Sequence, residues 1–129
     1  MLSLDLALQL RDAGLAWTPA QGDRFVVPGR EMDEEVFVLS DVTVEIHQLP
    51  SGPVVGFNGT TEWALDSLDL DQVLWLPRED QLRSLLGPGF RRLQASDDGW
   101  EVVMQADRSF SRADAEDAYA VALLDLLAG

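Results

Sequence analysis

The chain has 129 residues, 47% of them hydrophobic, and 23 acidic residues against nine basic ones give a formal net charge of −14. It contains no cysteine, one histidine and no lysine, since all nine basic residues are arginines. These absences exclude thiolate nucleophiles, cysteine-based zinc or iron–sulfur sites, lysine Schiff bases and the lysine-containing phosphate loop. The charge opposes binding to nucleic-acid backbones and anionic membranes, so neither is predicted as a partner.

The length predicts one domain over residues 1–129. No apolar run approaches the ~20 residues of a membrane span. The segment Met1–Asp5 lacks the basic stretch of a signal peptide, so we expect a cytoplasmic protein.

The first half of the chain predicts one helix followed by antiparallel strands. Ser3 is a candidate N-cap of a helix that ends at Gly14. A short strand follows at 24–27. Alternating apolar residues at 35–39 and 42–47 flank Ser40-Asp41 and predict a hairpin, which would place Glu34 opposite His47. The turn at 50–53 introduces the next antiparallel strand, at 54–57.

The second half predicts two helices and a hairpin. Thr60 or Thr61 could cap a short helix, and 69–76 fits either a strand or a loop. Pro77 suits the first position of a middle helix that ends at Gly87. A hairpin is predicted between 90–95 and 100–105, and Ser111 resembles the start of a capping box for the last helix. The fold class is therefore α+β: a single domain, an antiparallel sheet of about five to six strands, and helices at the N-terminus, middle and C-terminus.

One segment could support proton transfer or hold a metal. Glu45 and His47 are two residues apart on a predicted strand and would leave the same face, with Glu34 as a second carboxylate. They are the weak metal candidates; the alternative is an exposed ion pair worth ~0.2–1 kcal/mol. No cofactor, metal or catalytic residue is predicted from this pattern.

Four tryptophans are many for this length, and each lies beside turn residues or carboxylates. An indole suits a partly exposed groove because it combines a large apolar body with one N–H donor. Asn58-Gly59 permits positive φ, and two hydroxyls follow it. Packing in the core is the alternative for the tryptophans, and a strand-to-helix turn for the Asn58 segment. The predicted binding residues are Asn58, Thr60, Thr61, Trp63, Trp75, Trp17 and Trp100.

The segments 57–67 and 74–82, with Gly14, Trp17-x-Pro19 and Gly22-Asp23-Arg24-Phe25 before them, resemble an uncharacterised family of short bacterial proteins. Some members carry a pilus-assembly label. The assembly protein of that name resembles a large ParA-like ATPase, whose phosphate loop needs the lysine that this chain lacks. The resemblance covers nearly the whole chain, implies a bacterial source and carries over no functional residue. In acidity and layout the chain is also similar to α+β immunity proteins.

The leading hypothesis is a non-catalytic bacterial binding or regulatory module that recognises a protein or small ligand through a tryptophan-lined surface. One alternative is a small metal-dependent or carboxylate/histidine hydrolase. The other is an acidic immunity or antidote-type protein that binds a basic partner. A homodimer is a further candidate assembly.

Overall fold

The computed structural model describes residues 1–28, 36–39, 44–49, 52–57, 67–69 and 73–129, and the fold class is α+β, as predicted. These residues form two compact units, one of residues 1–16 with 77–129 and one of residues 17–76. In chain order the helices and strands are α1 (Leu4–Asp12), β1 (Arg24–Val26), β2 (Phe37–Val38), β3 (Val44–Leu49), β4 (Gly52–Phe57), β5 (Ser67–Asp69), β6 (Leu74–Leu76), α2 (Glu79–Leu86), β7 (Phe90–Ser96), β8 (Gly99–Met104), β9 (Ser109–Arg112) and α3 (Ala115–Ala128).

The two predicted residues bound helix α1: Ser3 is its N-cap, and Gly14 directly follows its C-cap, Ala13. The Ser3 hydroxyl accepts a hydrogen bond from the Leu6 N–H, at 3.4 Å. At the other end Gly14 has φ +103°, which only glycine adopts without strain. The N–H groups of Gly14 and Leu15 donate to the carbonyls of Arg11 and Leu10, both at 3.0 Å. This pair of bonds is a Schellman motif, which satisfies carbonyls that the helix leaves open.

Helix α2 begins two residues later than predicted. Its N-cap is Arg78 and its first helical residue is Glu79, so Pro77 precedes the cap instead of starting the helix. The reason is the side chain of Gln81, whose oxygen accepts from the Arg78 N–H at 2.9 Å and so stabilises Arg78 as the cap. Gly87 ends the helix, as predicted.

Strands β7, β8 and β9 form one antiparallel sheet in the unit that contains the three helices. The hairpin of β7 and β8 confirms the prediction, with Ser96 opposite Gly99. The Ser111 prediction is wrong, because this residue pairs with Glu101 as part of β9. Helix α3 is capped instead by Asp114, whose carboxylate accepts from the Glu116 N–H at 2.9 Å.

Carboxylates at the start of helix α3 bind the first three residues of the chain. Three acidic side chains at its start accept from the first three backbone nitrogens: Met1 N donates to Asp114 Oδ2 at 2.6 Å, Leu2 N to Glu116 Oε2 at 2.6 Å, and Ser3 N to Asp117 Oδ1 at 2.7 Å. Burial alone would raise the pKa of Asp114, but hydrogen bonds from the Met1 amino group and the Glu116 N–H outweigh it and lower this pKa from 3.8.

The core of this unit lies between α3 and the sheet. The ring of Tyr119 on α3 is fully buried and lies 5.7 Å from the ring of Phe90 on β7. Val102 and Met104, two residues apart on β8, are also buried, and burial of such apolar surface is the main source of stability. Burial raises the pKa of the Tyr119 phenol, and the nearby Glu79 carboxylate adds to the shift.

The unit of residues 17–76 contains two antiparallel sheets, with strand orders β2-β1-β6 and β3-β4-β5. Strand β4 begins at Gly52, inside the turn predicted at 50–53, and pairs with β3 from Leu49 opposite Gly52 to Val44 opposite Phe57. In the segment 69–76, predicted as strand or loop, Asp69 is the last residue of β5 and Leu74–Leu76 form β6, while 70–72 lie outside the described residues.

The predicted hairpin around Ser40-Asp41 is wrong in the strand pairing of the described residues, and Ser40-Asp41 themselves lie outside them. Strand β2 pairs with β1, placing Phe37 opposite Phe25, and His47 on β3 lies opposite Val54 on β4. Strand β2 joins β1 because Leu39 continues their pairing: its N–H donates to the Asp23 carbonyl at 2.9 Å.

The predicted sheet of five to six strands is not confirmed, since the described strands form three sheets of three. Among the described residues no helix has the length and apolar character to cross a bilayer.

Candidate functional site

Four aromatic side chains meet on the sheet of β2, β1 and β6, and we call them the aromatic cluster: Trp17, Phe25, Phe37 and Trp75. The strand registers place Phe25 between the other two strand residues, opposite Phe37 on β2 and opposite Trp75 on β6. Directly opposed residues of antiparallel strands share a face. The three side chains therefore form a row across the sheet.

Trp17 completes the cluster from the segment before β1. Its ring stacks on Trp75, with centroids 6.4 Å apart and planes 12° from parallel, and it meets Phe25 at 5.8 Å. The rings of Phe25 and Phe37 are 5.4 Å apart. Aromatic pairs in these ranges contribute about 0.5–1.5 kcal/mol each beyond the area that they bury.

A buried carboxylate orients Trp17. Asp23 is only 2% exposed, and its Oδ2 accepts from the Trp17 indole N–H at 2.9 Å and from the Ala20 N–H at 3.0 Å. The Asp23 N–H donates to the Ala20 carbonyl at 3.1 Å, and Gly22, with φ +91°, allows the chain to turn back. A buried carboxylate is stable only where hydrogen bonds or charges compensate for lost water, so these donors fix both the turn and the indole.

The cluster has a buried side and an accessible side. Phe25 packs with Val27, Leu39 and Val73, each less than 5% exposed, whereas Trp17 and Phe37 are half-buried against them. Trp75 is also half-buried. Trp17 and Trp75 therefore serve partly as core residues, as the alternative interpretation expected, while both residues stay partly exposed.

The two indole N–H groups differ. That of Trp17 bonds a carboxylate, whereas the Trp75 nitrogen is buried and has no acceptor within the part of the chain that the structure describes. A buried donor without an acceptor costs about 1–3 kcal/mol. The stacked pair thus contains one strongly bonded indole and one indole that gains nothing from its N–H.

The structure brings together two of the predicted binding residues, Trp17 and Trp75. Trp100 lies in the other compact unit, on β8 opposite Ala95 and Arg112, and is 41% exposed. The remaining predicted binding residues lie outside the described residues: Asn58, Thr60, Thr61 and Trp63. They follow β4, which ends at Phe57.

The Glu45–His47 prediction is described only at the backbone. Both residues occupy alternate positions on β3, with Gly56 opposite Glu45 and Val54 opposite His47. Glu34 lies outside the described residues. Within the ranges that the structure describes, no group of three or more histidine, aspartate or glutamate residues could hold a metal ion.

Three members of the site received no binding role from the sequence: Asp23, Phe25 and Phe37. The phenylalanines fit an ordinary strand pattern, and Asp23 fits an ordinary turn. A usable signal was present in the spacing, because a tryptophan and an aspartate separated by Pro19 and Gly22 suit a compact loop closed by a side-chain bond.

Scans against protein-family models, and searches of curated proteins and of solved structures, return no match for this chain.

Proposed function

We propose that this protein is a non-catalytic bacterial binding module that recognises a protein or small ligand at the accessible side of the aromatic cluster. The single observation that carries this proposal is the stacked pair of Trp17 and Trp75. Both indoles are half-buried, and one is held by a buried carboxylate. We also propose that the chain belongs to the uncharacterised family of short bacterial proteins that segments 57–67 and 74–82 resemble.

A fixed, half-exposed tryptophan suits recognition for two reasons. Its large ring buries much surface on contact, which is why tryptophan is enriched among residues that dominate binding energies. Its orientation is already set by Asp23 and by stacking, so less conformational freedom is lost when a ligand binds. Asn58, Thr60, Thr61 and Trp63 are proposed as further contacts of the same surface. Trp100 belongs to the other compact unit and is not included in the proposed site.

The test uses the four indole N–H resonances of ¹⁵N-labelled protein, assigned by replacing each tryptophan in turn with phenylalanine. Small-molecule fragments and peptides are titrated, and every ligand that binds is followed at all four signals. We expect ligands to shift the Trp17 and Trp75 resonances, with the Trp100 resonance as reference. Ligands that saturate the protein while both resonances stay fixed would place recognition elsewhere and overturn the proposal.

A second candidate function, hydrolysis by a carboxylate and a histidine, is favoured by one observation. Strand β3 is regular over Val44–Leu49, so Glu45 and His47 are two residues apart on one strand, as proton transfer between a carboxylate and a histidine on the same face would require. A panel of chromogenic ester, phosphate and glycoside substrates tests it. Turnover that His47→Ala abolishes while the circular dichroism spectrum is unchanged would establish this candidate, and turnover unaffected by the substitution would exclude it.

A further inference from the structure

The negative charge of the chain is concentrated in the unit that carries the aromatic cluster. Residues 17–76 contain 11 of the 23 acidic residues but two of the nine arginines, a net charge of −9. The other unit is longer and has a net charge of −5. The electrostatic field around the 17–76 unit therefore favours cations and opposes anions.

The half-buried indole of Trp17 in this unit is suited to a cation. The face of an indole carries negative electrostatic potential and attracts ammonium and guanidinium groups, more strongly than phenylalanine or tyrosine does. The Trp17 N–H donates to the carboxylate of Asp23, at 2.9 Å. An anion that accepts from the indole N–H polarises the ring and makes its face more negative, because hydrogen bonds in a low-dielectric environment strengthen such polarisation.

These two observations identify the class of ligand. We propose that the partner of the aromatic cluster is a cationic polypeptide, of which one lysine or arginine side chain packs on the Trp17–Trp75 pair while neighbouring positive charges are attracted to the acidic unit. The inference rests on the proposed function and narrows it. A polypeptide fits better than a small cation, because a net charge of −9 needs several positive charges for complementarity, and a partner with spaced charges supplies them.

The experiment titrates wild-type protein with four peptides of equal length: oligolysine, oligoarginine, oligoglutamate and a neutral glycine–serine peptide. Binding is followed at the assigned indole resonances and by calorimetry at two salt concentrations. We expect the two cationic peptides to shift Trp17 and Trp75 and to bind more weakly at the higher salt, because salt screens exposed charges. The neutral and anionic peptides should leave both resonances unchanged.

Variants distinguish non-specific attraction to an acidic protein from direct packing of a cationic side chain on the indole of Trp17. Trp17→Leu should lower the affinity for oligolysine about 5- to 30-fold, the loss of one cation–π contact. Asp23→Asn should also lower it more than Asp98→Asn, which removes the same charge from an exposed turn in the other unit. The melting temperature of each variant is measured, and the wild-type resonances decide the outcome should Trp17→Leu fail to fold.

The outcomes separate the two levels of the proposal. Cationic peptides that bind without moving the Trp17 and Trp75 resonances, or equally well after Trp17→Leu, would show diffuse attraction and overturn the inference. Neutral or anionic peptides that move these resonances as strongly would overturn the cationic class while supporting the binding site. If small-molecule fragments shift the same resonances and the cationic peptides do not bind, the proposed binding function would stand and the inference of a cationic partner would fail.

Discussion

Replacing each stacked tryptophan by phenylalanine isolates the hydrogen bond to Asp23. Trp17→Phe and Trp75→Phe remove similar ring area from the same stacked pair. The first also removes a bond from an indole to a buried carboxylate, at 2.9 Å, whereas the second removes an N–H with no acceptor in the described part of the chain. Bonds to charged groups contribute about 1.5–3 kcal/mol. Trp17→Phe should therefore lower the free energy of unfolding by about 1.5–3 kcal/mol more than Trp75→Phe.

The measurement is urea unfolding followed by far-ultraviolet circular dichroism, because loss of an indole would change a fluorescence signal directly. A double-mutant cycle of Trp17→Phe with Asp23→Asn checks the source, since coupled residues give a non-additive result. Equal losses for the two single variants, or a larger loss for Trp75→Phe, would refute our account of how Trp17 is held.

Three further predictions concern the other compact unit. Gly99→Ala should destabilise by at least about 2 kcal/mol, because its Cβ would lie 2.5 Å from the Arg112 carbonyl oxygen. Gly14→Ala should cost only about 1 kcal/mol, because its Cβ meets nothing within 4 Å and only the strain of φ +103° remains. Thermal melts that rank the two variants in reverse would contradict this. Ala106→Asn should stabilise by about 1 kcal/mol, because Ala106 has φ +61° in a turn where asparagine is better tolerated; an unchanged urea midpoint would count against it. Asp114 has a lowered pKa, so its stabilising contribution is present above its unfolded pKa of 3.8 and is lost as the pH falls through the folded pKa. Wild type should therefore be more stable than Asp114→Asn near neutrality and lose that advantage in acid. A stability difference that stays constant across pH would refute this.

Local chemistry made parts of the fold predictable. The Ser3 cap and Gly14 are encoded by single residues whose backbone and side-chain preferences act within one turn. The hairpin around 97–99 is encoded in the same way, with Gly99 at φ +150° where another strand passes close by. Each of these features depends on neighbours in sequence, so the sequence alone was enough.

Long-range pairing could not be predicted by the same means. Alternation of apolar residues at 35–39 and 42–47 indicates strands, and the described parts of these ranges include Phe37–Val38 of β2 and the start of β3 at Val44. The alternation does not say which strand pairs with which, because several partners satisfy one pattern. Strand β2 joins β1 instead of β3, and the residues near Ser111 join β8 before α3 begins. A strand that pairs with a distant partner overrides a local capping signal because it satisfies several backbone groups at once.

The same limit explains what could be predicted of the site. The number of tryptophans in the sequence identified Trp17 and Trp75 as candidate binding residues. Their stacking could not be predicted, because Trp75 lies on β6, 58 positions along the chain from Trp17. Asp23 looked like one more solvating carboxylate, but it is buried and orients an indole. In a chain with net charge −14, a carboxylate that is withdrawn from water cannot serve solubility. Its position under a half-buried tryptophan is therefore better explained by the ring that it holds in place, and by what that ring contacts.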